Sequence, residues 1–221
     1  HHGVLFLDEL PEFQRNVLEV LRQPLEDGAI TISRTRMTVE YPANFMLICA
    51  MNPCPCGNFG STVHACTCHE GAIQRYMSKV SGPLLDRIDI HVEVPSVKIE
   101  ELGKKSSGEP STKIRDRVLA ARERQHARYK NIVSRSAEKK RVFKNADLPP
   151  KLLHEYCEIG EEGRTLLKMA MSKMGYSARA YDRILKVSRT IADLAGVEAI
   201  SPAHLSEAIQ YRSLDRQFWN A

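Results

Sequence analysis

Two carboxylates and one amide directly follow short apolar runs. Side chains of these types can together coordinate a metal ion and activate a water molecule. Asp8 and Glu9 come after Val4–Leu7, and Asn52 follows the apolar run of residues 45–50. Such runs without alternation are typical of parallel strands buried on both faces, and ligands bind at the carboxyl ends of these strands. We expect Asp8 to hold Mg²⁺, usually through water, Glu9 to polarise an attacking water, and Asn52 to orient that water or contact a phosphate.

Two arginines supply charge of the opposite sign. Arg87 lies within residues 84–89, and Arg179 opens a predicted helix. Arginine stabilises the charge that spreads over oxygens during phosphoryl transfer. The alternative for Arg87 is a salt bridge with Asp86 or Asp89, and the alternative for Arg179 is a solvated arginine at a helix start.

Four cysteines form a second cluster of chemically competent residues. They occur as two close pairs, Cys54, Cys56 and Cys66, Cys68. Four thiolates complete a tetrahedral structural Zn²⁺ site, although the usual spacing is C-x-x-C rather than C-x-C. His64 and His69 are possible substitute ligands. Reduced free thiols and disulfides are the alternatives.

Two further arginines, Arg34 and Arg36, lie near the turn of a β-hairpin predicted at about residues 29–41. Arginines at such a tip suit contacts with phosphates. The alternative is an exposed turn that happens to be basic.

The net charge of +5 is unevenly distributed along the 221 residues. Residues 100–145 hold fourteen Lys and Arg against six Asp and Glu, a net charge of +8. A long basic helix is predicted over 112–130, and a basic segment attracts polyanions, unless it is only a solvated helix face. Neither the hairpin tip nor this helix shows aromatic residues alternating repeatedly with its basic ones, so recognition by base stacking is not expected.

The elements that must position these residues fall into an α/β part and an all-helical part. Strands are predicted at 4–7, 45–50 and 88–94, with a helix opened by Pro11 and another at 72–80. Four more helices are predicted at about 149–157, 161–174, 178–195 and 202–210. We expect domain boundaries that give 1–98, a basic linker and helix at 99–145, and a helical domain at 146–221.

The chain contains no run approaching the ~20 apolar residues of a membrane helix. Its first residues carry no basic leader of the kind that opens a signal peptide. We therefore expect a cytoplasmic protein with no membrane partner.

Four segments together resemble a known family. The chain is similar to the AAA+ branch that contains magnesium chelatase ATPase subunits and MCM-type helicases, and within it to the bacterial Mg-chelatase-like competence ATPases of the ComM/YifB type. The similarity is carried by residues 3–13, 49–57, 81–89 and 177–187. It implies a partial AAA+ P-loop core, a parallel sheet with helices, followed by a helical lid domain.

The resemblance implies roles for five residues and for ATP and Mg²⁺ as cofactors. Asp8 would coordinate Mg²⁺ and Glu9 would be the catalytic glutamate. Asn52 would be the residue called sensor 1. Arg87 would be an arginine finger that reaches the ATP of a neighbouring subunit in a hexameric ring, and Arg179 would be sensor 2.

The family's phosphate-binding loop, G-x-x-x-x-G-K-[ST], does not occur in these 221 residues. The resemblance places it upstream, so we expect this chain to be the carboxy-terminal part of the motor, to bind ATP weakly and not to turn it over. The first functional hypothesis is a helicase or branch-migration translocase on DNA. The alternatives are a chelatase-type motor for metal insertion, a protein-remodelling ATPase, and a non-enzymatic, zinc-stabilised nucleic-acid-binding module.

Overall fold

The computed structural model describes residues 1–95, 108–132 and 142–212. They belong to two compact units, one formed by residues 1–95 and the other by 108–132 and 142–212. The predicted boundary between residues 98 and 99 lies outside the described residues.

The first unit contains a two-stranded parallel sheet. Strand β1 (Val4–Leu7) pairs with strand β4 (Met46–Cys49) in a register that places Leu7 opposite Cys49. Both predicted apolar strands are therefore present and parallel. The expectation that they are buried on both faces is wrong for the described residues, because Val4 and Phe6 are more than half exposed.

The buried face of this sheet packs on a small apolar core. Leu7 and Cys49 contact a cluster whose fully buried members are Leu10, Leu18, Val80 and Leu84. Leu10 belongs to the 3₁₀ turn Leu10–Glu12, and Leu18 to helix α1 (Arg15–Val20). Helix α2 (Arg22–Asp27) follows and ends at Gly28, whose φ of 68° is the left-handed conformation that favours glycine.

The predicted hairpin is present, and the predicted third strand is not. Strand β2 (Ala29–Arg34) pairs antiparallel with strand β3 (Met37–Pro42). Residues 88–94, in contrast, adopt no strand conformation in the described part of the chain. A strand needs a neighbour for its backbone groups, and the described first unit offers these residues none; Val92 and Val94 are largely exposed.

A cysteine-rich loop, the residues between Cys49 and Glu70, connects β4 to the short helix α3 (Glu70–Met77). A second short helix, α4 (Gly82–Leu85), follows α3. Both helices begin with a side-chain cap. His69 Nδ1 accepts from the backbone N–H of Ala72 at 3.2 Å, and Ser81 Oγ accepts from the N–H of Leu84 at 3.3 Å. These caps satisfy backbone donors that would otherwise be unpaired at a helix start.

The second unit is helical, and its helices match the predicted segments closely. They are α5 (Ser111–Tyr129), α6 (Pro150–Tyr156), α7 (Glu161–Met174), α8 (Ala178–Leu194) and α9 (Pro202–Gln210), with a 3₁₀ turn at Asn145–Asp147. Their apolar faces enclose one core that includes Leu153, Leu167, Ile184, Leu185 and Leu205. Serine caps begin α8 and α9, and at α9 the capping Ser201 is followed by Pro202 at the first helical position.

A buried polar network fastens the basic helix α5 to this core. Arg128 donates to both carboxylate oxygens of Asp193, at 3.0 and 2.5 Å. Asn145 donates to the same carboxylate at 2.8 Å and accepts from the Tyr129 hydroxyl at 2.7 Å. The charge of Arg128 is thus compensated within the unit. No helix in the described residues is both long enough and apolar enough to cross a bilayer.

Candidate functional site

The carboxyl edge of the parallel strand pair brings the predicted carboxylates and the amide to one side of the sheet. The backbone ladder continues past the paired residues: Ala50 N–H donates to Leu7 O at 2.9 Å, and Leu10 N–H donates to Ala50 O at 3.0 Å. Asp8 and Glu9 therefore leave β1 at the same edge at which Asn52 leaves β4. All three side chains are exposed there.

Glu9 has an unusual backbone conformation. Its φ of 50° and ψ of 49° lie in the left-handed region, which is uncommon for a residue other than glycine. Such a conformation costs on the order of 1–3 kcal/mol and persists only where its surroundings impose it. Here the buried side chain of Leu10 and the Leu10 N–H bond to Ala50 hold the next residue in place. The sharp turn directs the Glu9 carboxylate away from the core.

Asp8 has the chemistry for a magnesium site. One of its carboxylate oxygens, Oδ1, accepts the backbone N–H of Glu9 at 2.9 Å. A carboxylate offers about four acceptor positions, so this bond leaves capacity for Mg²⁺ or for a water in the shell of the ion.

Tyr76 is a site residue that sequence reasoning missed. It lies on α3 and is only 7% exposed. Burial raises the pKa of Tyr76, and the nearby charges of Glu12 and Glu9 raise it further. The placement of the Tyr76 ring depends on how α3 packs in the folded unit, so neither the spacing nor the composition of the sequence reveals Tyr76 as a site residue.

Arg87 is held inside its own unit. Only 7% of the residue is exposed, and its Nη1 donates to the carbonyl of Pro83 at 2.6 Å. Its guanidinium also forms an ion pair with Glu26 of α2. The sequence suggested Asp86 or Asp89 as the structural partner, whereas this ion pair joins positions 61 residues apart. In this conformation the guanidinium of Arg87 contacts groups of its own unit and does not extend into solvent.

The four cysteines of the cysteine-rich loop come together as predicted. The ligand atoms of Cys54, Cys56, Cys66 and Cys68, hereafter the cysteine cluster, all lie within 4.8 Å of one another. Three of the Sγ–Sγ distances are 3.4, 3.6 and 3.7 Å. Four sulfurs at the usual ~2.3 Å from Zn²⁺ are about 3.8 Å apart at the corners of a tetrahedron. The cluster therefore has nearly the dimensions of a metal centre, and its cysteines are free thiols rather than disulfides.

The thiols of the cysteine cluster differ in acidity. The backbone N–H groups of Asn58 and Thr67 lower the pKa of Cys56 to about 5, whereas burial and the neighbouring Cys56 sulfur raise the pKa of Cys68 to about 12. One thiolate forms readily, and each further negative charge within 4 Å is opposed by the first. A bound cation removes this opposition, which is the electrostatic condition for a four-thiolate site.

The hairpin tip exposes both predicted arginines. Arg34 is the last residue of β2 and pairs with Met37, so the turn consists of Thr35 and Arg36 alone. Arg34 and Arg36 are exposed. Two cations therefore stand at a narrow tip, as contacts with a polyanion require.

Arg179 belongs to the second unit. It is exposed in the first turn of α8, next to the Ser177 cap that accepts from Ala180 N–H at 3.2 Å. The amino terminus of a helix favours anions and disfavours cations. An arginine in this place adds to a positive potential that attracts phosphate.

Comparison with known families matches nearly the whole chain. Residues 1–102 match the family described as "Magnesium chelatase, subunit ChlI". Residues 108–212 match "Magnesium chelatase, subunit ChlI C-terminal". The two matches meet near the division between the two compact units.

Individual relatives are similar over almost all of the chain. Competence protein ComM of Haemophilus influenzae is 44% identical over 218 residues, which are 97% of this chain and 40% of ComM. The YifB proteins of Salmonella typhimurium and Escherichia coli are each 42% identical over 217 residues, which are 98% of this chain and 40% of each relative. The chain thus spans about 40% of the length of these relatives.

Proposed function

This chain belongs to the magnesium chelatase-like family and fits its ComM/YifB type, and we propose that it forms part of an ATP-hydrolysing ring motor that acts on DNA. The observation that carries the ATPase proposal is the shared edge at which Asp8, Glu9 and Asn52 leave two parallel strands. That edge is where open α/β sheets bind their ligands.

The roles follow from the chemistry of each side chain. Asp8 would hold Mg²⁺, which neutralises phosphate oxygens, Glu9 would accept a proton from the attacking water, and Asn52 would orient that water. Arg87 would stabilise the charge of the transferring phosphoryl group in a neighbouring subunit. This requires Arg87 to leave its ion pair with Glu26. Arg179 of the second unit would be the sensor 2 residue, which responds to the bound nucleotide.

The activity belongs to the whole motor rather than to these 221 residues. A glycine-rich loop with its lysine normally cradles the β- and γ-phosphates, and that motif is not within this sequence. We expect the isolated chain to bind ATP weakly, and the longer protein to form a hexameric ring in the cytoplasm. Clear ATP turnover by the purified 221-residue chain would contradict this assignment.

The DNA proposal rests on the exposed hairpin tip. Arg34 and Arg36 project from an element that lies in sequence between the two strands of the nucleotide edge. Phosphate contacts from such a tip give affinity without sequence preference.

We further propose that the cysteine cluster holds one structural Zn²⁺. Its sulfur–sulfur distances fit the ion, and backbone N–H groups such as that of Phe59, which donates to Cys54 Sγ at 3.3 Å, stabilise the thiolates. Metal analysis of gently purified protein should give close to one equivalent of zinc. A content below about half an equivalent would count against a resident ion.

The decisive experiment measures ATP hydrolysis by the longer protein, with and without single-stranded or branched DNA, beside a Glu9→Gln variant. DNA should raise the rate several-fold, and Glu9→Gln should abolish hydrolysis while retaining nucleotide binding. Normal hydrolysis by Glu9→Gln would remove Glu9 from its role.

A second candidate is a chelatase-type motor for metal insertion, because both matched families are named for the ChlI subunit of magnesium chelatase. It uses the same nucleotide edge, so only the substrate distinguishes it. Hydrolysis that is unaffected by DNA would favour this candidate or a protein-remodelling ATPase.

A further inference from the structure

We propose that the hairpin formed by β2 and β3 binds single-stranded DNA, with one exposed apolar face against unpaired bases and the tip arginines against phosphates. The inference rests on the proposed contact between this hairpin and DNA. It goes beyond that contact, because it assigns a second set of residues and a preference for strands whose bases are unpaired.

The register of the hairpin separates its side chains into an apolar and a polar face. Residues directly opposite each other on two antiparallel strands point to the same side, and the next pair points to the other side. The pairs on one side, hereafter the apolar face, are Ile30 with Tyr41, Ile32 with Val39, and Arg34 with Met37. The pairs between them, on the other side, are Thr31 with Glu40 and Ser33 with Thr38. One tip arginine therefore shares a face with the large apolar residues of the hairpin.

The apolar face is open to solvent. Met37 is 63% exposed, Tyr41 53% and Ile32 47%. None of the apolar residues of the hairpin belongs to the core described for the first unit. A contiguous apolar surface that stays exposed is a common mark of an interaction site.

The hydrogen bond that joins the hairpin to helix α2 lies on the polar face. Gln23 of α2 donates to Thr31 Oγ1 at 3.3 Å. On the same face the hydroxyls of Ser33 and Thr38 bond to each other at 3.1 Å. An amphipathic strand pair usually turns its apolar side to the protein and its polar side to water. Here a helix of the same unit is attached to the polar side, so the apolar side is left for a partner outside this unit.

The charges beside the apolar face indicate the chemistry of that partner. Arg34 lies on the apolar face itself, and Arg36 lies in the two-residue turn next to it. Both side chains are exposed. A single strand of DNA presents unpaired bases beside phosphates, and proteins bind it by combining cations with surfaces on which the bases stack. A duplex encloses its base faces, so it would use the two cations and leave the apolar face uncovered.

This combination of residues follows from the fold and is not a local sequence pattern. Tyr41 is five positions beyond Arg36, and no aromatic residue stands at the tip itself. Its pairing with Ile30 places Tyr41 on the face of Arg34, about 14 Å along the strands at ~3.4 Å per residue. Base contact would here use one tyrosine together with the flexible, polarisable side chain of Met37, rather than the interleaved aromatic residues sought in the sequence.

The test compares two strands that carry the same phosphates and differ only in their bases. One is a short oligothymidylate, and the other is an abasic strand of equal length. At one salt concentration we expect the 221-residue chain to bind the oligothymidylate roughly tenfold more tightly, because stacking of a base on a side chain contributes an affinity of this order.

Replacing Met37 and Tyr41 together with Thr removes the apolar contacts and keeps residue types that favour strands. This variant should bind both strands with the wild-type affinity for the abasic strand, and its salt slope should not change because no cation is lost. The control replaces Val20 and Val63, two exposed apolar residues of the first unit outside the hairpin, with Thr. The control should keep the preference for oligothymidylate. A Met37→Thr, Tyr41→Thr variant with the wild-type preference would overturn the proposal.

Replacing Arg34 and Arg36 with Ala separates this proposal from the proposed DNA contact. Suppose that the arginine variant binds both strands more weakly, while the Met37→Thr, Tyr41→Thr variant keeps its preference for bases. The hairpin then contacts phosphates alone, so the DNA contact stands and the present inference falls. Undiminished binding by the arginine variant would remove the hairpin from the DNA interface, and both would fall.

Two other occupants of the apolar face predict different results. If a second copy of the chain covers it, the Met37→Thr, Tyr41→Thr variant should sediment more slowly than wild type without a change in the preference between strands. If another segment of the longer protein covers it, the longer protein should bind the two strands equally. We expect instead that sedimentation is unchanged and that the longer protein shares the preference for oligothymidylate. Either of the other results would overturn the assignment of this face to DNA.

Discussion

Arg87 carries its positive charge in a place from which water is almost excluded. Its guanidinium donates to the carbonyl of Pro83 and forms an ion pair with the carboxylate of Glu26, while its buried Nε has no hydrogen-bond partner among the described residues. A charge buried in this way is stable only while its partners remain. The same residue is proposed to act on the nucleotide of a neighbouring subunit, so Glu26 competes with that nucleotide for the arginine.

Replacing Glu26 with Gln should destabilise the first unit by about 1–2 kcal/mol, less than for a fully buried pair because the Glu26 side chain is 38% exposed. Urea unfolding measures the loss. Glu40→Gln is the matched control, since Glu40 is exposed on β3, and it should change stability by less than about 0.5 kcal/mol. Equal stabilities for the two variants would mean that the ion pair contributes nothing.

The residues of the site differ in how far the sequence reveals them. Asp8, Glu9 and Asn52 are recognisable because a polar group directly after an apolar run is a local pattern. Glu26 is not, because its partner Arg87 is distant in the chain and only the packing of α2 brings the two close. Tyr76 is not either, because its burial depends on how α3 packs in the first unit. Carboxylates lie close to Arg87 in the sequence, but in the folded protein its ion-pair partner is a carboxylate that is distant in the chain.

Secondary structure depends both on the local sequence pattern and on the elements that pack beside it. The second unit illustrates the first dependence, and the first unit illustrates the second. The helices of the second unit are predictable because amphipathic periodicity and capping residues such as Ser177 and Ser201 act within a single helix. Residues 88–94 have a strand-like composition but lack a partner strand among the described residues. The exposed outer face of β1 likewise could not be anticipated, since burial depends on what packs against a strand.

Gly163 shows the same dependence on neighbours in helix packing. A methyl group at this position of α7 would lie 2.7 Å from Cδ1 of Leu205, a fully buried side chain on α9 that would have to shift within the core. Gly163→Ala should therefore destabilise the second unit by about 1–3 kcal/mol, despite the gain of up to ~1 kcal/mol in helix propensity.

The control for Gly163→Ala is Gly71→Ala in α3, where the nearest atom, Nδ1 of His69, would be 3.6 Å away. That contact is ordinary, so Gly71→Ala should be neutral or slightly stabilising. Thermal unfolding of both variants decides between the two effects. A gain in stability for Gly163→Ala would show that α7 and α9 separate at little cost.

For the molecule as a whole, electrostatics decides how it meets a polyanion. The excess of positive over negative charge lies in residues 100–145, whose net charge of +8 exceeds the +5 of the whole chain. Arg128 within that segment is neutralised by Asp193. Its neighbours on α5, such as Arg122 and Arg124, are exposed. The net charge therefore overstates the number of cations that are available to DNA phosphates.

The hairpin tip offers the sharpest test of this electrostatic account. If Arg34 and Arg36 each contact one phosphate, replacing both with Ala in the longer protein should weaken DNA binding and reduce the slope of log K against log salt by about 1.4–1.8, depending on whether the DNA is single- or double-stranded. The loss should be similar for unrelated DNA sequences, because phosphate contacts carry no sequence information.

The matched control replaces two other exposed arginines of the first unit, Arg15 and Arg75, with Ala. This variant loses the same net charge, so a general electrostatic attraction would weaken equally in both. A salt slope that falls only for the hairpin variant would locate the phosphate contacts at the tip. Equal slopes in the two variants would remove the hairpin from the DNA interface and leave the exposed cations of α5 as the remaining candidates, because they are unchanged in both.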